Sequence, residues 1–327
     1  MMKHITRRNF IGTAARGAAL ITAAGFAASC SDALSGVAMP TRKLGKTGLD
    51  VSILSFGGGS NFMKCGEGDW QKLMEKAIKA GVNMFDTAPS YSIYKAEGQS
   101  LGSDERFGEI LPAYRKDVVI VTKLETRNPE EVKKEVEESL ARMKTDYIDI
   151  LMIHAVKDSD DVAVVEKGIY KVMQDLKRQG VVRFIGFSSM DSAQRSKDML
   201  DNLDIDAVML AMNATRYGDF AKLALPSAIR QNTGVIAMKV MRNIVGKDAT
   251  PRELLEYAWG TEGVASAVIA HDGFSNLAEN LQLSENYHGK LMAVSDRLDL
   301  ERRMQKYAGP HALVWARPGY TDGMHIA

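Results

Sequence analysis

The sequence predicts an α/β chain: a (β/α)8 TIM barrel with a C-terminal extension. Three observations carry that expectation. Short apolar runs recur eight times between residues 53 and 270, separated by amphipathic helical stretches. Most runs are apolar nearly throughout instead of alternating, as parallel strands covered on both faces should be. No Gly-x-Gly-x-x-Gly leads from a strand into a helix, which leaves a doubly wound open sheet as the runner-up. Composition agrees, since 45% apolar residues, 25% charged residues and 8 Pro in 327 describe a globular chain able to bury a core. A net charge of +1 sets aside electrostatic capture of nucleic acid. Two cysteines, Cys30 and Cys65, exclude a disulfide scaffold and a multi-cysteine zinc site.

In chain order, residues 1–38 read as a targeting segment. Lys3, Arg7 and Arg8 precede a weakly apolar stretch, Phe10 to Ala28, that Arg16 interrupts and that is too polar for a good membrane span. Thr6-Arg7-Arg8-Asn9-Phe10-Ile11 resembles the twin-arginine signal of bacterial export, which implies the export machinery as a partner. Ala27-Ala28-Ser29-Cys30 resembles a lipobox, with Cys30 as an acylated membrane tether, although Ala27 stands where Leu is usual. Gly36-Val37-Ala38 offers the other route, ordinary cleavage to a soluble product. Both routes imply an exported protein, periplasmic or membrane-tethered.

Residues 39–290 are expected to form the barrel and 291–327 the extension. The strand-like runs are Ile53–Phe56, Asn83–Asp86, Val118–Lys123, Ile148–His154, Val182–Phe187, Ala207–Ala211, Val235–Met238 and Ala265–Ala270. Between them, Trp70, Leu73, Ala77 and Ile78 fall at helical spacing, as do Val132, Val136, Leu140 and Met143, and Ile169, Val172, Met173 and Leu176. Asn128, Pro129 and Glu131 read as N-cap, first helical residue and capping-box carboxylate of the second of these helices.

A parallel barrel places its active site at the C-terminal ends of its strands, so the polar residues that close apolar runs are the candidates. They are Asp86, with Tyr91 five residues on, Lys123 and His154. Each alone has an ordinary structural reading, as a turn cap, a loop aromatic, a snorkelling cation or a core histidine. Together they can handle a proton. A tyrosine is a poor acid near neutrality unless its phenolate is stabilised, and the Lys123 ammonium, partnered by Asp86, is suited to do that. His154 can hydrogen-bond an oxygen on which charge develops. There is no metal motif, nucleophile elbow or Walker loop.

These residues lie in longer motifs. Arg42 to Ser52 resembles the N-terminal lead-in of the aldo-keto reductase superfamily, followed by Gly57-Gly58-Gly59 at the first strand exit. Asp86-Thr87-Ala88-Pro89-Ser90-Tyr91, the stretch from Ser139 to His154, and Gly180 to Ser189 resemble later motifs of that family in the right order. The resemblance implies a nicotinamide-dependent reductase, or alcohol dehydrogenase, acting on a small carbonyl or alcohol. NADP(H) is the favoured donor and NAD(H) the other. By position, Tyr91 is the general acid, Asp86 and Lys123 tune it, and His154 orients the carbonyl. Gly57, Gly58, Gly59, Asp86, Ser188, Ser189, Glu279 and Asn280 take cofactor-binding positions. Met209 and Met238 stand where the family often has Gln and a stacking aromatic, and Lys239 is placed to reach a phosphate. Asn276 stands where a basic residue commonly meets a 2′-phosphate. The stretch Ser92–Gly102 is longer than the usual turn, and the extension with Trp315, Arg317, Pro318 and Tyr320 either lines the mouth or packs outside. The alternative is a non-catalytic exported protein that uses the same barrel mouth to bind a ligand or partner.

Overall fold

A computed structural model describes residues 38–93, 100–320 and 322. The candidate signal, Cys30 and residues 94–99 of the extended turn lie outside the described residues. Strands β1 (Thr41–Lys43) and β2 (Asp50–Ser52) form an antiparallel hairpin. Eight further strands follow: β3 (Leu54–Gly57), β4 (Met84–Asp86), β5 (Val119–Leu124), β6 (Ile148–Ile153), β7 (Val182–Ser189), β8 (Ala207–Ala211), β9 (Gly234–Met238) and β10 (Val264–Ile269). They pair in parallel, in chain order, and β10 closes on β3. Each expected run lands on its strand within two residues, because residues buried on both faces leave an uninterrupted apolar signature.

The helices are legible for the same reason. In α1 (Asp69–Lys79) Trp70, Leu73 and Ala77 are buried as expected, Ile78 is only partly buried, and Met74 joins the buried face. The expected face of α2 (Val132–Arg142) is buried as well, Val132, Val136 and Leu140 on the helix and Met143 at its C-cap. The start of α2 differs from expectation. The helix begins at Val132, and Asn128 caps only a preceding turn, its Oδ1 accepting from Glu130 N at 3.1 Å. The Glu131 carboxylate does not return to Asn128 but accepts from Thr126 Oγ1 at 2.8 Å, and only the Glu131 backbone N–H reaches Asn128 O, at 3.1 Å. A full capping box occurs instead at α3 (Pro251–Trp259), between Thr250 and Glu253.

The hairpin, which the apolar pattern did not announce, is tied to the barrel through Arg42. Its guanidinium donates to the carbonyls of Trp259 and Val264, both at 2.7 Å. After α4 (Phe274–Glu285), the extension forms α5 (Val294–Met304), which buries Leu300 and Met304. The chain then buries Leu313 and Trp315, and both Val314 and Asp322 line the cleft at the barrel mouth. Among the described residues no helix is long and apolar enough to cross a membrane.

Candidate active site

Strand register brings the four expected residues together. Gly57 on β3 lies beside Asp86 on β4, Asp86 beside Val121 on β5, and Lys123 beside Met152 on β6, so the polar strand ends share one rim. Lys123 Nζ donates to Asp86 Oδ1 at 2.6 Å and to Thr87 O at 2.8 Å. Both side chains are nearly sealed from solvent, and a buried charge is tolerable only when paired in this way. Burial raises the Asp86 carboxyl, opposed by the Lys123 charge.

Tyr91 lies on a short helix, Pro89–Ile93, and Lys123 Nζ sits 4.8 Å from its ring centroid. The ring meets His154 edge to face at 5.8 Å. The expectation that Lys123 eases ionisation of Tyr91 is not the net outcome. Burial first, and then the charges of Asp322 and Asp86, hold the phenol well above its ordinary range. The ammonium reaches the ring face but is hydrogen-bonded elsewhere, so Tyr91 is a protonated donor.

His154 is pinned from several sides. Its backbone N–H donates to Leu124 O at 3.0 Å, and its carbonyl accepts from Arg127 at 2.7 Å. The next residue, Ala155, has φ +48°, a left-handed conformation that costs a non-glycine residue roughly 1 kcal/mol, and its N–H is held by Ser188 Oγ at 2.9 Å. The ring is oriented by Glu125, a residue that the strand-end reading passed over. Glu125 Oε1 lies 2.5 Å from His154 Nδ1 and also accepts from Ser90 N at 3.4 Å, tying the tyrosine helix to the histidine. A signal was present in the sequence, because Glu125 falls two residues beyond Lys123 and so continues the same face of an extended chain.

Burial lowers the His154 pKa, but hydrogen bonds to Asp322 and Glu125 outweigh it and the net direction is up. A carboxylate accepts only, so Nδ1 carries a proton toward Glu125, and Nε2 can donate only from the imidazolium. Nε2 is 3.5 Å from Asp322 and, among the described residues, otherwise without a hydrogen-bond partner. It is a buried donor position facing the mouth.

Asp86 and Tyr91 line a cleft of about 400 Å³, with Lys123 and His154 packed against the Tyr91 ring. Gly57 and Gly59 line it, whereas Gly58 serves packing: a Cβ there would lie 2.2 Å from Ser103 Oγ and 2.9 Å from Asp86 O. Met209, Met238 and Lys239 form part of the wall, and Glu279 and Asn280 border the cleft on α4. Lys239 has φ +60°, and its carbonyl is held by Asn213 Nδ2 at 3.1 Å. Asn280 Nδ2 lies 3.0 Å from His271 Nε2, and burial lowers His271 to about 4, so that imidazole is neutral. Ser188 and Ser189 reach the rim, but their hydroxyls serve the loop after β6, Ser188 toward Ala155 N and Ser189 toward Val156 O at 2.8 Å. Cys65 is no candidate nucleophile, because burial pushes its thiol up to about 11.

With this geometry in place, comparison with known proteins is decisive. Residues 54–247 match the aldo/keto reductase family. The chain belongs to that family. It is 30% identical to L-galactose dehydrogenase of Arabidopsis thaliana over 245 residues, 70% of this chain and 74% of that protein. It is 25% identical to 6-dehydroglucose reductase of Novosphingobium aromaticivorans over 257 residues, 67% of this chain and 81% of that protein. The solved aldo-keto reductase of Bacillus halodurans shares the fold, with a TM-score of 0.64 over 81% of this chain and 96% of its own, at 20% identity. This aldo-keto reductase is therefore an NAD(P)H-dependent oxidoreductase.

Proposed function

We propose that the protein transfers hydride between a nicotinamide dinucleotide and a small carbonyl or alcohol, with Tyr91 as general acid. The observation that carries this reading is the convergence of Tyr91, Lys123, Asp86 and His154 at one strand-end rim beside an open cleft. Binding of the cofactor falls to the cleft wall, where Met209 and Met238 offer polarizable surface to a ring and Arg242 and Lys64 offer positive charge to phosphates. When bound, the cofactor supplies or accepts hydride. In the reductive direction Tyr91 Oη and the His154 imidazolium hold the carbonyl oxygen, and Tyr91 gives it a proton as negative charge develops there. Lys123, 4.8 Å from the ring centroid, then offsets part of the cost that burial and Asp86 place on the phenolate left behind.

The resemblance favours NADP(H), and the cationic wall suits its additional phosphate. Asp272 and Glu279 on the same cleft are acceptors for the free ribose hydroxyl of NAD(H). Native mass spectrometry together with NADPH and NADH titration tests both points. Tight binding of NADPH with a weaker NADH response is expected, tighter NADH binding would assign the carboxylates the discriminating role, and binding of neither would overturn the function.

Export by the twin-arginine route, with acylation of Cys30, completes the proposal. It rests on Arg7-Arg8 and on Ala27-Ala28-Ser29-Cys30. A folded protein carried by that route can leave with its cofactor already loaded. Fractionation of cells expressing the full chain should find it in the membrane fraction, and Cys30→Ser should abolish lipid labelling. Retention of the wild-type chain in the cytoplasm would contradict the export reading.

A further inference from the structure

The barrel mouth already holds a carboxylate, and it comes from the protein's own extension. Asp322 Oδ2 accepts from Tyr91 Oη at 2.8 Å and lies 3.5 Å from His154 Nε2. Asp322 Oδ1 is paired with Lys239 Nζ and accepts from Tyr320 Oη at 3.1 Å. One oxygen therefore occupies the place that the proposed mechanism reserves for a reacting carbonyl oxygen. The other neutralises a lysine whose side chain is only 8% exposed. The segment that delivers the carboxylate is anchored: Trp315 is buried against Tyr217, and Tyr320 packs 5.6 Å from the Lys239 ammonium and 5.8 Å from the Arg242 guanidinium.

We propose that this cluster is a carboxylate-binding site for substrate, with Asp322 as its displaceable internal occupant, and that the substrate class is a carbonyl compound bearing a carboxylate on the adjacent carbon. The inference rests on the function proposed above. Its physical basis is the asymmetry of the two oxygens. A ligand that displaces Asp322 and brings only a neutral carbonyl would satisfy Tyr91 and His154 but leave Lys239 as an unpaired buried charge, an expensive state. A 2-oxo acid offers a ketone oxygen to Tyr91 and His154 and, from the carboxylate on the adjacent carbon, an anionic oxygen to Lys239. Reduction is then balanced: hydride from NAD(P)H goes to the carbonyl carbon, the Tyr91 proton goes to its oxygen, and a 2-hydroxy acid leaves with NAD(P)+.

The test compares benzoylformate with its uncharged methyl ester on the full chain, in wild type, Asp322→Asn, Asp322→Ala and Lys239→Met. The wild type should favour the acid by at least about tenfold in kcat/KM, and Lys239→Met should erase that preference. Removing the internal competitor should lower the KM for benzoylformate by about tenfold in Asp322→Ala and in the isosteric Asp322→Asn. Oxamate, a non-reacting carboxylate, should bind Asp322→Ala more tightly than wild type. It should also speed hydrogen exchange in the peptide containing residues 313–320 of wild type. Equal use of acid and ester, or an unchanged KM in both Asp322 variants, overturns the inference while leaving the reductase reading intact. So does release of that peptide by NADPH alone with no further effect of oxamate, which would assign Lys239 to a cofactor phosphate. Absence of turnover and of nucleotide binding would instead remove the reading on which the inference rests.

Discussion

At the scale of single residues, the chemistry depends on which protons are held and by what. Glu125 keeps His154 in the orientation, and toward the protonation state, that lets Nε2 donate. The folded pKa of His154 is raised, so carbonyl reduction should persist below that pKa and decline as pH rises through it. Stability follows the same sign: the contribution is complete below the ordinary histidine value and is lost as pH climbs through the folded one. Glu125→Gln removes the anion and should move the alkaline limb of the kcat/KM profile to lower pH. An unmoved limb would show that Glu125 does not set the charge of His154. Gly58 shows a different residue-level constraint. Gly58→Ala pushes a methyl group against Ser103 and the Asp86 carbonyl, and urea denaturation should show a loss of about 1–3 kcal/mol.

At the scale of elements, legibility in the sequence followed the kind of burial. Runs such as Ile148–His154 and Ala207–Ala211 were plain because parallel strands bury both faces, and Asp86, Lys123 and His154 stood out because each ends such a run. The hairpin β1–β2 was obscure because Thr41–Lys43 is polar and only partly buried, which removes the apolar cue. The start of α2 was misplaced because Asn128 and Glu131 have cap chemistry that is used by a local turn and by Thr126. Where cap chemistry is used by the helix itself, as at α3, its loss should register. Thr250→Ala should cost about 1 kcal/mol in thermal or chemical unfolding, with little effect on kcat.

At the scale of the whole molecule, the interactions least visible in sequence join its two ends to the barrel. Arg42 binds the carbonyls of Trp259 and Val264, more than 200 positions away, and Arg42→Met should strip two charge-assisted bonds and cost roughly 2–4 kcal/mol in unfolding free energy. Asp322 reaches Tyr91 across 231 positions, and no local pattern announces such a contact. Tyr320 and Trp315 did mark the extension as more than a linker, but only the fold shows that it enters the mouth. The near-neutral net charge likewise conceals local organisation at the barrel mouth, where Lys123 is paired with Asp86, Lys239 with Asp322, and Arg242 donates to the Ser60 hydroxyl.

The claim on which these scales meet is that the strand-end cluster does proton chemistry on a carbonyl. Tyr91→Phe tests it most directly, because it deletes one hydroxyl and leaves the ring between Lys123 and His154. Steady-state reduction should fall by roughly 10²-fold or more in kcat, with NAD(P)H affinity retained in a fluorescence titration. Undiminished turnover by a folded, cofactor-binding Tyr91→Phe protein would contradict the account.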